Sequence, residues 1–376
     1  MRLHPIDGLL FLFVKLLKSF DRRQADLKYF SPEKVSNILV VSSTAIGDTL
    51  LSTPAIRSVR GRYPRAKIVA HFNRKNLELF KNNPDIDEII PYCGGYRCFL
   101  RTVRKFRKCN FDLVMIFHGN EPQATPMAYL SGARFILKAT IPKRYGFLLS
   151  NCSTNLKNSP MMHAIDRRLE MASLVGGSGK NRDMVLIADA EDDKFIESFL
   201  RDSGLRKDQP VIGFQVGAAN RYKMWPRRYF AELGRKILEY NPDACIVITG
   251  SKKEIDLCQS VAKDIGRGAI TTAGIISLSR MRGLVKKMCV LVTNDTGTMH
   301  MAIALKTRTV SLFCPTRSEG TGPVQDLHLH SVIKKDVPCI KCVTKKCEKP
   351  FCMESITVDE VFRAVMESLA VSGTGN

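Results

Sequence analysis

The chain is poor in acid. Only 36 Asp and Glu stand against 58 Lys and Arg, a formal net charge of +22. That imbalance projects a long-range field that draws polyanions, and nucleic acid, an anionic membrane surface and a phosphorylated substrate all fit it. Nothing in the chain reads as a nucleic-acid recognition module, so nucleic acid is not an expected partner. No apolar run is long enough to span a bilayer. No secretory leader is expected either: the apolar run 9–14 is followed by Lys15, Lys18, Arg22 and Arg23, without a small-residue cleavage site. The 12 Cys are therefore expected to be reduced thiols in the cytoplasm. Two nucleotide-binding patterns are absent too. No G-x-G-x-x-G follows the first strand, which disfavours a Rossmann dehydrogenase. The stretch "GGSGKN" at 176–181 has Leu174 where a phosphate loop needs its first Gly and Asn181 where it needs Ser or Thr.

What remains is 376 residues, 44% hydrophobic and 25% charged, with room for two domains that each bury a core. "IDGLLFLFVKLLKSFDRR", residues 6–23, has helical rhythm, apolar side chains over most of its surface and cations toward its end. Residues 1–30 are expected to form an amphipathic segment lying in a membrane interface, the alternative being a helix packed on a host groove. Next comes "NILVVSSTAIGDTLLSTPAIRSVRGRYP", read as a buried strand, a loop and a helix with Pro54 early enough to be tolerated or to kink it. "AKIVAHF", "DEIIPY" and "FDLVMIFHG" are further strands. Between the last two, Arg97, Arg101, Arg104, Lys105, Arg107 and Lys108 form a run without an acid, and 97, 101, 104 and 108 would share one helical face. A charged stretch then suggests an inter-domain linker at 191–208, between a domain at 31–190 and one at 209–376. The strand–loop–helix pattern restarts at "PVIGFQVGAANRYKMWPRRYFAEL" and continues through "ACIVITG", "GAITTAG", "CVLVTNDTGTMHMAIAL" and "RTVSLFCPT". Alternating strands and helices predict two doubly wound parallel sheets.

In such sheets ligands bind at the carboxyl ends of the strands, which singles out three junctions. At 42–48, Asp48 follows Gly47 at a helix start, where a carboxylate serves equally well as a cap or as a general base. At 217–225, Lys223 precedes Trp225-Pro226 at the mouth of another helix, a fit for phosphate as a point charge or a plain surface Lys. At 294–300, Asp295 ends a strand and Thr296, Gly297 and Thr298 open a helix whose free N–H groups and dipole favour an anion, with His300 one turn in. A simple N-cap is the plainer reading of that junction.

Together these junctions resemble the ADP-heptose:lipopolysaccharide heptosyltransferases of glycosyltransferase family 9. The resemblance rests on "VVSSTAIGDTLLSTPAIRSVRGRYPRAKI", "NNPDIDEII", "KMWPRRYFAEL" and "NDTGTMHMAIALKTRTVSLFCPTRSEGTGP", and it covers roughly residues 36 to 365 in order. It implies a GT-B fold, two Rossmann-like domains facing a cleft, with a final helix that packs back on the first domain. It implies an inverting, metal-independent transfer of heptose from ADP-heptose to the lipopolysaccharide inner core, with no cofactor beyond the nucleotide-sugar donor. Carried over position by position, Asp48 matches the base. Lys223, Asp295, Thr296, Gly297 and His300 match donor-binding positions, and Glu254 matches a ribose contact. The acceptor would be an anionic glycolipid at the cytoplasmic face of the inner membrane, with Arg97, Arg101, Arg104 and Lys108 as candidate contacts. A transferase using another nucleotide sugar and a non-catalytic glycan-binding homologue are the alternatives.

Cys339, Cys342, Cys347 and Cys352 follow one another as C-x2-C-x4-C-x4-C. Four Cys so close could bind zinc or an iron–sulfur cluster, but the spacing matches no standard pattern, and structural Cys without metal are expected.

Overall fold

A computed structural model of the chain describes residues 5–23, 25–119, 123–140, 144–154, 161–314, 316–335 and 351–370. It divides into two compact units, 1–185 and 186–376. Each is a parallel sheet wrapped by helices, as the alternating pattern predicted.

In the first unit five strands, β1 (Asn37–Ser42), β2 (Lys67–Asn73), β3 (Glu88–Tyr92), β4 (Leu113–His118) and β5 (Phe135–Lys138), lie in the order β3-β2-β1-β4-β5. Their pairings are all parallel. β1 is central, and its near-continuous apolar run is buried on both faces, as a strand covered by helices on each side must be. Order reverses between β1 and β4, so the loops leaving their carboxyl ends diverge and leave a crevice there. After β1 the chain forms a short helix, Ile46–Leu50, and then a second, Thr53–Arg62. Pro54 sits in the first turn of the second, where its missing N–H costs nothing, and the expected single helix is split there.

The first helix, Pro5–Phe20, joins this unit. Leu10 and Val14 are buried in its core beside the helix Ala124–Leu130, each worth about 1.5–3 kcal/mol. The Tyr96 hydroxyl donates to Asp7 at 2.5 Å, and the Arg144 guanidinium lies 4.6 Å from the centre of the Phe11 ring. One face of the helix thus packs on the protein, the alternative named above. The opposite face, with Leu9, Leu12, Phe13, Leu16 and Phe20, is exposed.

In the second unit β6 (Val211–Gln215), β7 (Cys245–Thr249), β8 (Ala269–Thr271), β9 (Val290–Asn294), β10 (Thr309–Phe313) and β11 (His330–Lys334) lie in the order β11-β10-β9-β6-β7-β8, again parallel. The switch point falls between β6 and β9. Trp225 packs edge-on against Phe230, which is tilted against Phe214, in the core beneath it.

Several expectations are corrected. The stretch 191–208, expected as a linker, is mostly the helix Ala190–Asp202 of the second unit. Its acids face the basic helix Met281–Lys287: Asp192 meets buried Arg282 at 2.6 Å, Asp193 meets Lys286 at 2.7 Å and Glu197 meets Lys287 at 2.6 Å. The final helix, Val358–Ala370, for which a return to the first domain was expected, belongs to the core of the second unit. Val361 and Val365 are fully buried there, and the helix packs on Arg227–Tyr240 and β9–β11. Arg97 precedes the helix Phe99–Lys108, so it does not share a helical face with Arg101, Arg104 and Lys108. The edge strands β5 and β11 were not anticipated. β11 is a half-exposed mixture of polar and apolar residues, and its partner β10 decides its strand state rather than its own pattern.

Candidate active site

In the first unit the crevice between β1 and β4 is lined by the loop after β1 and the end of β4. Asp48 lies in the first turn of Ile46–Leu50, whose N-cap is Ala45. Its carboxylate does not cap that helix. Oδ2 accepts from the Thr44 hydroxyl at 2.9 Å, and Oδ1 is 3.4 Å from Arg168 Nη2 and 3.7 Å from His118 Nε2. Behind it the backbone is braced by Ser52, whose hydroxyl donates to the Asp48 carbonyl at 2.7 Å and lies 3.1 Å from the Ser42 hydroxyl. The capping reading of Asp48 is thereby set aside: the side chain is 29% exposed and held by Thr44 and Arg168.

Those partners constrain one another. Thr44 Oγ1 is also 2.7 Å from His118 Nδ1. A hydroxyl has one proton, and this one goes to Asp48, so His118 Nδ1 must carry the hydrogen that Thr44 accepts. Neutral His118 then presents the lone pair of Nε2 beside the carboxylate. Burial pushes the His118 pKa below its ordinary 6.5, opposed by Asp48 and reinforced by Arg168 and Lys138, which favours that neutral form at pH 7. Arg168, on the helix Ala164–Ser173, is 4% exposed. Burial lowers its pKa to about 10, which Asp48 counteracts, and it stays cationic at neutral pH. Its Nε and Nη1 find no hydrogen-bond partner among the described residues, an arrangement that costs stability and is tolerated where a site needs a buried charge.

Thr44, His118 and Arg168 were not singled out from the sequence. Arg168 left a signal: with Ile165, Leu169 and Ala172 it occupies the buried row of its helix, a place where an Arg calls for a reason. His118 left one as well, as the last residue of β4 at the carboxyl edge.

The second unit builds its site at the β6/β9 switch point. Lys223 Nζ donates to Asp295 Oδ2 at 2.6 Å, with the Lys 20% and the Asp 9% exposed. Thr296 is the N-cap of Gly297–Ala304 with no side-chain bond to that helix's first turn, so the first turn's N–H groups are left to other partners. The Thr298 hydroxyl donates to Gln215 Oε1 at 3.0 Å, tying the helix to the end of β6. His300, in the first turn of the same helix, is buried. Asn294, quoted in the motif but given no role, clamps the two loops. Its Oδ1 accepts from Trp225 N at 3.0 Å, while Nδ2 lies within 3.2–3.4 Å of the carbonyls of Gln215, Val216 and Gly217. Trp225 in turn donates through Nε1 to the Ile356 carbonyl at 2.9 Å.

Glu254 follows β7 in the turn Lys252–Glu254, where its Oε2 accepts from Ser251 N and Oγ, both at 2.7 Å, in a capping box. Its Oε1 is pressed on the loop after β6, so closely that a Cβ at Gly217 would overlap it. The Glu254 carboxylate is thereby brought to the same carboxyl edge as Lys223.

Arg101, Arg104 and Lys108 are exposed on Phe99–Lys108, and Arg97 is exposed just before it, none with an ion-pair partner among the described residues. Cys339, Cys342 and Cys347 lie outside the described residues, and Cys352 is buried in the core of the second unit.

Comparison with known proteins bears on this arrangement. A family model described as glycosyltransferase family 9 (heptosyltransferase) matches residues 99–351. The chain is 23% identical over 312 residues to lipooligosaccharide heptosyltransferase 2 of Haemophilus influenzae, which covers 77% of this chain and 86% of that one. The glycosyl transferase family 9 structure from Veillonella parvula superposes with a TM-score of 0.75 at 22% identity, covering 89% of this chain and 97% of that one. The structure of the Escherichia coli ADP-heptose LPS heptosyltransferase II does so with a TM-score of 0.73 at 21% identity, covering 90% and 100%.

Proposed function

The chain belongs to glycosyltransferase family 9, the heptosyltransferases, and as a glycosyltransferase of that family we propose that it moves heptose from ADP-heptose to a hydroxyl of the lipopolysaccharide inner core with inversion at the anomeric carbon. The observation that carries the reading is the Asp48 carboxylate: it is accessible, it caps no helix, and Thr44 and Arg168 hold it at a switch point. Asp48 accepts the acceptor's hydroxyl proton as the new C–O bond forms and the bond from the anomeric carbon to the ADP β-phosphate oxygen breaks. Arg168 and Thr44 orient it, and His118 acts on it through Thr44.

The departing ADP gathers negative charge. Lys223 meets that charge: its ammonium has three hydrogens, one given to Asp295 and two left for phosphate. The N–H groups opening at Thr296, Gly297 and Thr298 add a second set of donors on the positive end of a helix. No metal is needed for this division of labour. Glu254, beside Gly217, is placed to accept from a ribose hydroxyl. The acceptor is an anionic glycolipid, reached by the enzyme as a peripheral protein at the cytoplasmic face of the inner membrane, with Arg97, Arg101, Arg104 and Lys108 as candidate contacts.

The test is a calorimetric and thermal-shift screen of nucleotide sugars followed by turnover with a deacylated inner-core acceptor. ADP-heptose is expected to bind and to be consumed. A preference for UDP- or GDP-sugars rejects the donor and supports a transferase of other specificity. Donor binding without any turnover supports the non-catalytic homologue.

A further inference from the structure

We propose that the outer face of the first helix, together with the neighbouring face of Phe99–Lys108, is a docking surface for anionic phospholipid. The first helix keeps two faces. Asp7, Leu10 and Val14 are turned into the protein, whereas Leu9, Leu12, Phe13, Leu16 and Phe20 are between 51% and 77% exposed. At helical spacing these five share one stripe. The stripe does not end at the helix. Ile6, Leu9 and Phe13 line a shallow apolar depression with Phe99 and Leu100, and Leu100 is itself 66% exposed. Leu100 shares its side of Phe99–Lys108 with Arg104, Arg107 and Lys108, three and four residues apart along the helix. The apolar stripe is therefore bordered by cations, and neither Arg104 nor Lys108 has an ion-pair partner among the described residues.

Charge selects the occupant. A second copy of a chain carrying +22 would bring more cations against those of Phe99–Lys108, a like-charge juxtaposition that disfavours the pairing. A layer of anionic headgroups over acyl chains offers both complements at once: phosphates for the cations, and an apolar boundary for the Phe and Leu side chains. The helix has 16 residues and lies along the protein surface, a geometry for resting in an interface. Position adds sense to the surface. Tyr96, just beyond β3, holds Asp7, so the start of the first helix is tied to the carboxyl edge of the sheet, the edge on which Asp48 lies. A lipid-anchored acceptor would meet the protein on the side where the carboxylate opens, a consequence that rests on the proposed function.

Docking is tested with the full chain and acceptor-free vesicles. Sedimentation with vesicles of phosphatidylglycerol and phosphatidylethanolamine is expected to bind the protein at least about tenfold better than vesicles of phosphatidylcholine, with binding falling as salt rises. Leu9→Glu with Leu16→Glu, both on the exposed stripe, and separately Arg104→Glu with Lys108→Glu, are each expected to lower vesicle binding about tenfold or more. Melting temperature and ADP-heptose affinity of the Leu9/Leu16 variant should match the parent, which separates lost docking from lost folding. Equal binding to both vesicle types, or full binding by either variant, overturns the proposal. So does a dimer that the Leu9/Leu16 variant dissolves, since a second copy would then cover the stripe. Failure of ADP-heptose to bind, with vesicle binding intact, overturns the donor reading and leaves the docking surface standing.

Discussion

The two units solve one geometric problem with opposite charges. Each is an open parallel sheet, and each assembles its polar site where strand order reverses, between β1 and β4 in the first and between β6 and β9 in the second. In the first unit a single carboxylate, Asp48, is surrounded by an Arg, a His and a hydroxyl. In the second a single ammonium, Lys223, is steadied by a carboxylate at the mouth of a helix. The fold supplies the crevice, and the loops decide whether a carboxylate or an ammonium stands in it. The framework accounts for neither choice, because the strands beneath both sites are the same kind of buried apolar run.

The sharpest way to break the comparison is to remove the proton acceptor. Asp48→Ala is expected to lower kcat by about a thousandfold, the scale of a positioned general base, while ADP-heptose affinity stays within about twofold, since the proposed donor site is in the other unit. Near-normal turnover in a steady-state assay would sink the assignment of the base.

Acid should strain both units through one device. Each carries a histidine whose pKa burial pushes down to about 4: His71 in β2, stacked edge-on against Tyr92 and Phe106, and His330 at the start of β11. The unfolded chain binds its proton near pH 6.5 and the folded chain only near pH 4. Stability is therefore full above about pH 6.5 and is lost as pH falls toward 4, by about 3 kcal/mol for His71 and less for the half-exposed His330. Thermal melts between pH 7.5 and 4.5 should show the fall, and His71→Phe should flatten it. An unchanged slope would mean that this ring is protonated in the native state.

Removing the ammonium tests the other side of the comparison. Lys223→Ala is expected to weaken ADP-heptose binding about tenfold to a hundredfold, the worth of a charge-assisted bond, and to lower kcat as well. Calorimetry that finds unaltered affinity would move the diphosphate elsewhere. The smallest effect concerns orientation. Thr44→Val deletes one hydrogen bond to Asp48 and one to His118, and kcat is expected to drop about tenfold with the KM for donor unmoved. A rise in donor KM instead would show that Thr44 does more than orient the carboxylate.

Much of this is legible in the amino-acid sequence. β1, β2, β4, β6, β7, β9 and β10 announce themselves as short apolar runs bounded by turns, because a strand buried on both faces has no room for polar side chains. Asp48, Lys223 and Asp295 follow as candidates from the rule that ligands bind at the loops after such strands. The errors have physical causes as well. The acids of Ala190–Asp202 read as a linker because their partners, Arg282, Lys286 and Lys287, lie some ninety residues on. The first helix reads as apolar nearly all round because its sequence does not say which stripe the protein covers.

By itself, then, the sequence determined the parts whose physics is local: which runs must be strands, where helices can begin, which loops are open, and a surplus of cations. The tertiary structure decided what depends on distant residues meeting. His118 arrives at Asp48 from β4, and Arg168 arrives from a helix 120 residues further along the chain. Only folding brings a buried guanidinium to that carboxylate, because its desolvation is tolerable only with a counter-charge at hand, and no periodicity records where the counter-charge will come from. The same holds for the cation-bordered stripe: two helices far apart in the chain had to pack on a common third, Ala124–Leu130, so that Leu100 could extend what Leu9 begins.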